Sequence, residues 1–287
     1  MRVSLAWGTL ALLPAVALAQ PEAFLTFHPS AGTRLQFVSE TRLSTVVVGF
    51  PSLPDSTVIE SSWRTVATQR VTDVKGADRV VSETFDSSRA RAKVGTAPRA
   101  DVLLPGVEGL SGRWTFTERL EALPRDVRRG GDSAFIDALS ATQGGFSVTF
   151  PETAVAIGRE WTTRFRFPLG AHLAAGGKVA AYGSLVGRAT AAVDSLVPRG
   201  ADTLVYLTVR AMADPSTLPL VAEGGTGMGT FTGGFAAALV WSTGWNAVVA
   251  AATTGQVTGT VRVERTEGPP VNGALSITIS GRHQVRL

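Results

Sequence analysis

Apolar and polar residues alternate with a period of two along most of this chain. Trp161, Thr163, Phe165 and Phe167 share one face against Thr162, Arg164 and Arg166. Val205, Leu207 and Val209 oppose Tyr206, Thr208 and Arg210, and Leu275, Ile277 and Ile279 oppose Ser276, Thr278 and Ser280. Arg113 to Leu120 sets Trp114 and Phe116 against Arg113, Thr115 and Thr117. Side chains of a strand point alternately to its two faces, so this pattern predicts half-buried antiparallel strands. The abundant valine and threonine suit a pleated surface. Turn residues separate the runs at Lys75–Asp78, Pro198–Asp202 and Glu267–Pro270. Connections this short join antiparallel neighbours. No strand–helix–strand rhythm appears, which argues against a parallel sheet.

One segment breaks the pattern. Asp132 is placed to cap a helix, Phe135, Ile136 and Leu139 share a helical face, and Gly144-Gly145 ends it. This predicts a short helix near 132–143, before strand pattern resumes at Phe146. The Pro/Gly-rich region from Gly95 to Gly112 reads as a loop. Phe235 to Ala252 is long and apolar, but Ser242, Thr243, Gly244 and Asn246 interrupt its middle. It reads as a hairpin with strands Ala236–Trp241 and Trp245–Ala252 rather than a membrane helix.

The chain also echoes itself. Val71-Thr72-Asp73 leads to Gly76-Ala77-Asp78, as Val193-Asp194 leads to Gly200-Ala201-Asp202. Upstream, Gly32-Thr33-Arg34-Leu35 parallels Gly158-Arg159-Glu160-Trp161. The expectation is an all-β fold of strongly curved antiparallel sheets, in two similar halves with one short helix between them. The first half spans 20–145 and the second 146–287.

The opening residues add a location. Met1-Arg2 is a short positive start, Leu5 to Leu13 is apolar, Pro14 interrupts, and Ala17-Leu18-Ala19 presents small residues before Gln20. These are the parts of a secretory signal peptide over 1–19, cleaved after Ala19. The expected location is periplasmic or extracellular. The chain has 287 residues and Cys 0, so disulfides, thiolate metal sites, cysteine nucleophiles and a lipid-attachment cysteine are all excluded. Hydrophobic residues make up 44% and charged residues 17%, the balance of a folded domain. The net charge is +4, carried almost wholly by scattered arginine, with the densest cluster at Arg125, Arg128 and Arg129. Scatter of this kind reads as a solvated surface rather than a nucleic-acid face.

Candidate chemistry is sparse. His28, His172 and His283 lie far apart and in no metal-binding spacing, so neither a metal nor another cofactor is expected. Gly183-Ser184-Leu185-Val186-Gly187 holds its serine off the centre that a nucleophile elbow requires. Gly224 to Thr230 fits neither dinucleotide nor Walker spacing and reads as a turn or twisted strand. The tryptophans Trp63, Trp114, Trp161, Trp241 and Trp245 are spread over many strands, as core packing spreads them. No catalytic residue is assigned, and the chain is expected not to be an enzyme; a hydrolase with an unrecognised site is the more distant alternative.

Phe150-Pro151-Glu152, followed by Val155-x-x-Gly158-x-x-Trp161, resembles a phrase of exported bacterial proteins of a domain-of-unknown-function type. The resemblance implies an exported, antiparallel β protein and brings no activity. The resulting expectation is a non-catalytic exported β protein, with a lipid or other hydrophobic small molecule as its candidate ligand and no nucleic-acid partner. An outer-membrane β-barrel is the alternative. Against it stand an aromatic content of only 7% with Tyr 2, too few for two girdles, and a last strand ending His283-Gln284-Val285-Arg286-Leu287 without an aromatic.

Overall fold

The computed structural model describes residues 21–51, 53–54, 56–102, 108–121, 148–169, 179–181, 183–222 and 225–286. The signal segment expected over 1–19, the helix expected near 132–143, the cluster Arg125, Arg128 and Arg129, and His172 lie outside these residues. Fourteen strands are described: β1 (Glu22–Ala23), β2 (Arg34–Val48), β3 (Thr57–Lys75), β4 (Asp78–Val94), β5 (Ala100–Val102), β6 (Ser111–Phe116), β7 (Val155–Ala156), β8 (Glu160–Pro168), β9 (Val179–Ala181), β10 (Ser184–Arg199), β11 (Asp202–Ala222), β12 (Gly225–Ser242), β13 (Ala247–Glu264) and β14 (Val271–Arg286). β5 falls inside the 95–112 stretch expected to be loop, while β6 begins at its end and continues into the strand expected from Arg113. The glycine-dense stretch from Gly225 lies within β12, and the 235–252 segment forms the β12–β13 hairpin.

Twelve of these strands form one antiparallel sheet, in the order β5-β4-β3-β2-β14-β13-β12-β11-β10-β8, with β6 also on β4 and β9 also on β11. β1 and β7 make a separate two-stranded sheet. Strands of the two expected halves therefore hydrogen-bond in a single sheet, joined where β14 pairs with β2 from Ala274↔Val48 to Arg286↔Gln36. The last long strand thus lies mid-sheet.

The long strands turn alternate residues toward the buried face, most completely in β2. In β2, Leu35, Phe37, Ser39, Thr41, Leu43, Thr45 and Val47 are buried, and Arg34, Glu40, Arg42 and Val48 between them are exposed. The same holds for Val205, Leu207, Val209 and Ala211 in β11 and for Leu275, Ile277 and Ile279 in β14. The buried face joins residues of distant strands in one cluster, including Trp63, Ala90, Phe165 and Ala189. Phe27 meets Phe116 of β6 at 5.6 Å between ring centroids and Trp241 of β12 at 6.4 Å. A flat sheet could not place one ring against both, so the sheet curls over its apolar face, as sheets of this width do.

Glycine makes room for rings on that face. A Cβ at Gly255 would sit 2.4 Å from Cδ1 of Phe235 on the adjacent strand, and one at Gly259 would sit 2.3 Å from Cδ1 of Phe231. Phe235 in turn packs on Phe165 and Phe167, with centroids at 5.0 and 4.6 Å. Register shifts interrupt several long strands; among them, β10–β11 shifts between Val193 and Ser195, β3–β4 between Val71 and Asp73, and β11–β12 between Ala213 and Ser216, where Pro215 has no N–H to give the ladder.

Among the described residues no ladder joins β8 to β6. The segment 148–150 stands between them. Phe150 N donates to Arg119 O at 2.8 Å, and Arg119 Nε returns a bond to Phe150 O at 2.7 Å. On the other side Thr149 N donates to Thr163 Oγ1 at 3.2 Å, and Trp161 Nε1 donates to Thr149 O at 3.0 Å. This gives physical content to the Phe150–Trp161 phrase. Phe150 is buried against Trp241, Glu152 pairs with Arg119 at 2.8 Å, and Gly158, at φ +80°, donates to Val193 O.

Candidate functional site

The sheet's solvent face carries the charge. Across β14, β2, β3 and β4, register sets Ser280, Arg42, Ser62 and Arg91 side by side in one row. The next row holds Arg282, Glu40, Arg64 and Arg89. These positions alternate with the buried Thr41, Leu43, Ser61 and Trp63, so their side chains face water. The chain that follows β4 brings Arg99 and Asp101 beside this face, and Glu108 follows β5. Together they border a groove of about 1160 Å³.

Three ion pairs cross the groove. Arg64 Nε meets Glu40 Oε1 at 3.5 Å, Arg91 Nε meets Asp101 Oδ1 at 2.9 Å, and Arg99 Nη2 meets Glu60 Oε2 at 3.2 Å. All six partners are substantially exposed, so each pair adds little to stability. Arg64 and Arg89 stand directly opposite each other on β3 and β4. Like charges in that relation repel. A second pair of shallow grooves, of about 600 and 450 Å³, lies over β12, β13, β14 and β2 among Thr230, Thr260, Val48 and Ala274.

The buried face has a polar stripe of its own on β2, β3 and β14. Ser39, Thr41, Thr45, Ser61, Thr65 and His283 are buried there. The His283 ring stacks on Phe37 at 4.5 Å, and its Nδ1 lies 2.9 Å from Ser39 Oγ. Burial pushes the His283 pKa down to about 4, because the imidazolium cannot be hydrated there. A serine–histidine contact this enclosed has no path for a substrate and acts as packing with a hydrogen bond.

The remaining sequence candidates do not converge. His28 Nδ1 accepts from Arg79 Nη2 at 2.8 Å. Buried Arg79 also donates to the carbonyls of Pro29, Gly76, Ala77 and Asp78, which ties the β3–β4 turn to the segment before β2. Ser184 Oγ accepts from Arg166 Nε at 3.1 Å, in a strand rather than an elbow. Among the described residues no group of three or more His, Asp or Glu is placed to hold a metal ion. Trp63, Trp114 and Trp241 are buried, whereas Trp245 is exposed at the β12–β13 turn. That turn is held by Asp202. Partial burial works against its charge, but donors from Ser242, Gly244, Thr243 and Thr203 outweigh it and hold its carboxyl below the usual range.

The groove arginines were not singled out from the sequence. They lie on strands separated by turns and longer connections, and only register gathers them. The available signal was the placement of Arg42, Arg64, Arg89 and Arg91 at solvent-facing positions of alternating runs.

No family model matches the chain, and no curated protein matches it. Solved structures with some likeness include OmpF of Salmonella typhi in complex with daunomycin, at 8% identity and a TM-score of 0.24, covering 90% of this chain and 100% of that one. An outer-membrane channel from Pseudomonas putida matches at 10% identity and a TM-score of 0.22, over 95% of this chain and 100% of that one. A mutant porin of Rh. blastica matches at 8% identity and a TM-score of 0.18, over 88% and 100%. Scores this low carry no argument about this chain.

Proposed function

We propose that this chain is a non-catalytic, exported β protein that works in water and binds a ligand on its polar sheet face. The observation that supports this most is the groove over β2, β3 and β4, bordered by charged side chains from three strands and from the chain after β4. A protein built only as a scaffold has no need of a groove bordered by so many charged side chains. The buried face supports a packing role. It is filled by side chains such as Phe150, Phe165, Phe231 and Trp241, each almost wholly buried. We therefore place the ligand in the charged groove rather than on the apolar face, where a lipid or other hydrophobic molecule was expected.

The barrel alternative is disfavoured by polarity. A membrane-spanning barrel carries its apolar band outward and its polar residues inward. Here Leu207, Val209, Ile277 and Ile279 face inward, whereas Arg42, Arg64, Arg210 and Arg282 face out. An exported location rests on residues 1–19.

The experiment is native mass spectrometry of the protein purified from its own cell envelope without detergent, after fractionation. The reading expects release by washing with carbonate and urea, and a co-purifying small molecule. Retention in the washed membrane pellet, with heat-modifiable migration on a gel, would overturn it. So would release with no ligand retained and no small molecule that raises Tm.

A further inference from the structure

Resting on that reading, we propose that the groove binds the oxyanion of a small ligand, a phosphate or a carboxylate, through Arg42 and Arg89. Three features of the groove carry it. First, the groove's arginines are unequally committed. Arg64, Arg91 and Arg99 each hold a carboxylate, whereas Arg42 and Arg89 make no ion pair or hydrogen bond among the described residues. Glu108 is the groove carboxylate without an ion pair among those residues, and it comes from the chain beyond β5 rather than from the sheet floor.

Second, the floor concentrates positive charge without need. Arg89 stands directly opposite Arg64, although Glu40 opposite Arg64 on its other side shows that the sheet can place an acid there. Opposed like charges weaken a strand pair. A bound anion turns that repulsion into attraction.

Third, the spacing fits one oxyanion. β2 and β4 are two strand spacings apart, roughly 10 Å. Arg42 and Arg89 lie in adjacent rows on either side of β3, with Ser62 and Arg64 between them, and long flexible stems allow both guanidinium groups to approach one ligand. Guanidinium presents a planar fork of donors that matches phosphate or carboxylate oxygens. The hydroxyls of Ser62 and Ser280, in the same row as Arg42, supply neutral donors beside it. Phosphate and carboxylate share this recognition chemistry, and the two arms of the test separate them.

The test titrates the mature protein with inorganic pyrophosphate and, separately, with citrate by isothermal calorimetry at 20 and 200 mM NaCl. Three proteins are compared: wild type, the double variant Arg42→Gln/Arg89→Gln, and the control Arg188→Gln/Arg210→Gln, whose arginines are exposed on β10 and β11 away from the groove. The expected result is binding of one probe by wild type, weakened at least tenfold in the double variant and within twofold of wild type in the control, with tighter binding at low salt. Urea unfolding of all three confirms that the sites exchanged are surface positions. No binding of either anion by wild type overturns the proposal, as does equal weakening in the double variant and the control. A neutral ligand that co-purifies equally with wild type and the double variant overturns this proposal and leaves the binding reading standing.

Discussion

His283 gives the fold a measurable dependence on pH. The ring is 7% exposed, stacked on Phe37, with Ser39 Oγ as its hydrogen-bond partner at Nδ1. Its pKa is lowered from 6.5 to about 4 by burial. The unfolded chain therefore takes up a proton near pH 6.5, and the folded chain does not until about pH 4. Between those values the unfolded state binds more protons, so stability rises with pH across the window. The contribution is fully present above pH 6.5, declines as pH falls, and levels off below about 4. At about 1.36 kcal/mol per pKa unit, the whole effect is about 3 kcal/mol, and about 2 kcal/mol of it appears between pH 7 and pH 4.5. The assay is urea unfolding of wild type and His283→Gln at several pH values in that range. Carboxylates titrate in both proteins, so the difference between the two profiles isolates the imidazole. The wild type is expected to lose about 2 kcal/mol more than the variant on acidification. An NMR titration of the His283 ring serves if the variant folds poorly. Superimposable profiles, or a ring titrating near pH 6.5, would refute the reasoning.

Two further substitutions probe the packing. Gly255→Ala places a methyl 2.4 Å from the Phe235 ring and is expected to cost about 1–3 kcal/mol in chemical denaturation, with a smaller cost in combination with Phe235→Leu. Arg79→Met leaves the turn carbonyls of Gly76, Ala77 and Asp78 without their shared donor; it is expected to lower Tm with a loss of about 2–4 kcal/mol, and Arg79→Lys, lacking the planar fork, restores only part of it.

Strand identity was legible because period-two alternation is a local property. Val205 to Arg210 and Leu275 to Ser280 read correctly from neighbours alone. So did the turns at Gly76 and Gly200, which both take a positive φ, of 63° and 62°, between strands that pair directly. The two expected halves do not appear as separate units, but one local arrangement occurs at both echoed places. Gly32 N donates to Val71 O and Gly158 N donates to Val193 O, both at 2.8 Å. The register slips just after each valine, at Thr72 and at Asp194. The same local construction thus occurs twice, although both copies serve one sheet. What alternation could not reveal was order. Nothing near Leu275 says that β14 lies between β13 and β2, because that pairing joins residues more than 200 positions apart. β5 was missed because proline and glycine dominate its surroundings, whereas β6 was legible from the alternation that starts at Arg113. The groove was missed for the same reason as the strand order: Arg42, Arg64 and Arg89 become neighbours only once the register is known.

One sheet carries two different constraints on its two faces, and Arg89 separates them. On the inner face a substitution meets packed atoms, and its cost follows volume and hydrogen bonding. On the outer face a substitution meets water, and its cost follows charge. Arg89 faces Arg64 across the β3–β4 ladder, and Arg64 is held by Glu40 at 3.5 Å on its other side. If Arg89 served the fold, its removal would destabilise the sheet. If it is instead an unrelieved charge, Arg89→Gln relieves a cross-strand repulsion. The relief expected is about 0.2–1 kcal/mol at low ionic strength, fading as added salt screens exposed charges. Arg64→Gln is the informative contrast, since it removes the same repulsion but also abandons Glu40, and its net gain is expected to be smaller. Urea unfolding at 20 and 500 mM NaCl measures both. A loss of stability in Arg89→Gln that salt does not change would mean that Arg89 packs or bonds as part of the fold, and its place in an oxyanion site would lose its physical basis. A salt-sensitive gain would place it among residues whose charge the folded sheet tolerates at a cost, which is where binding residues are found.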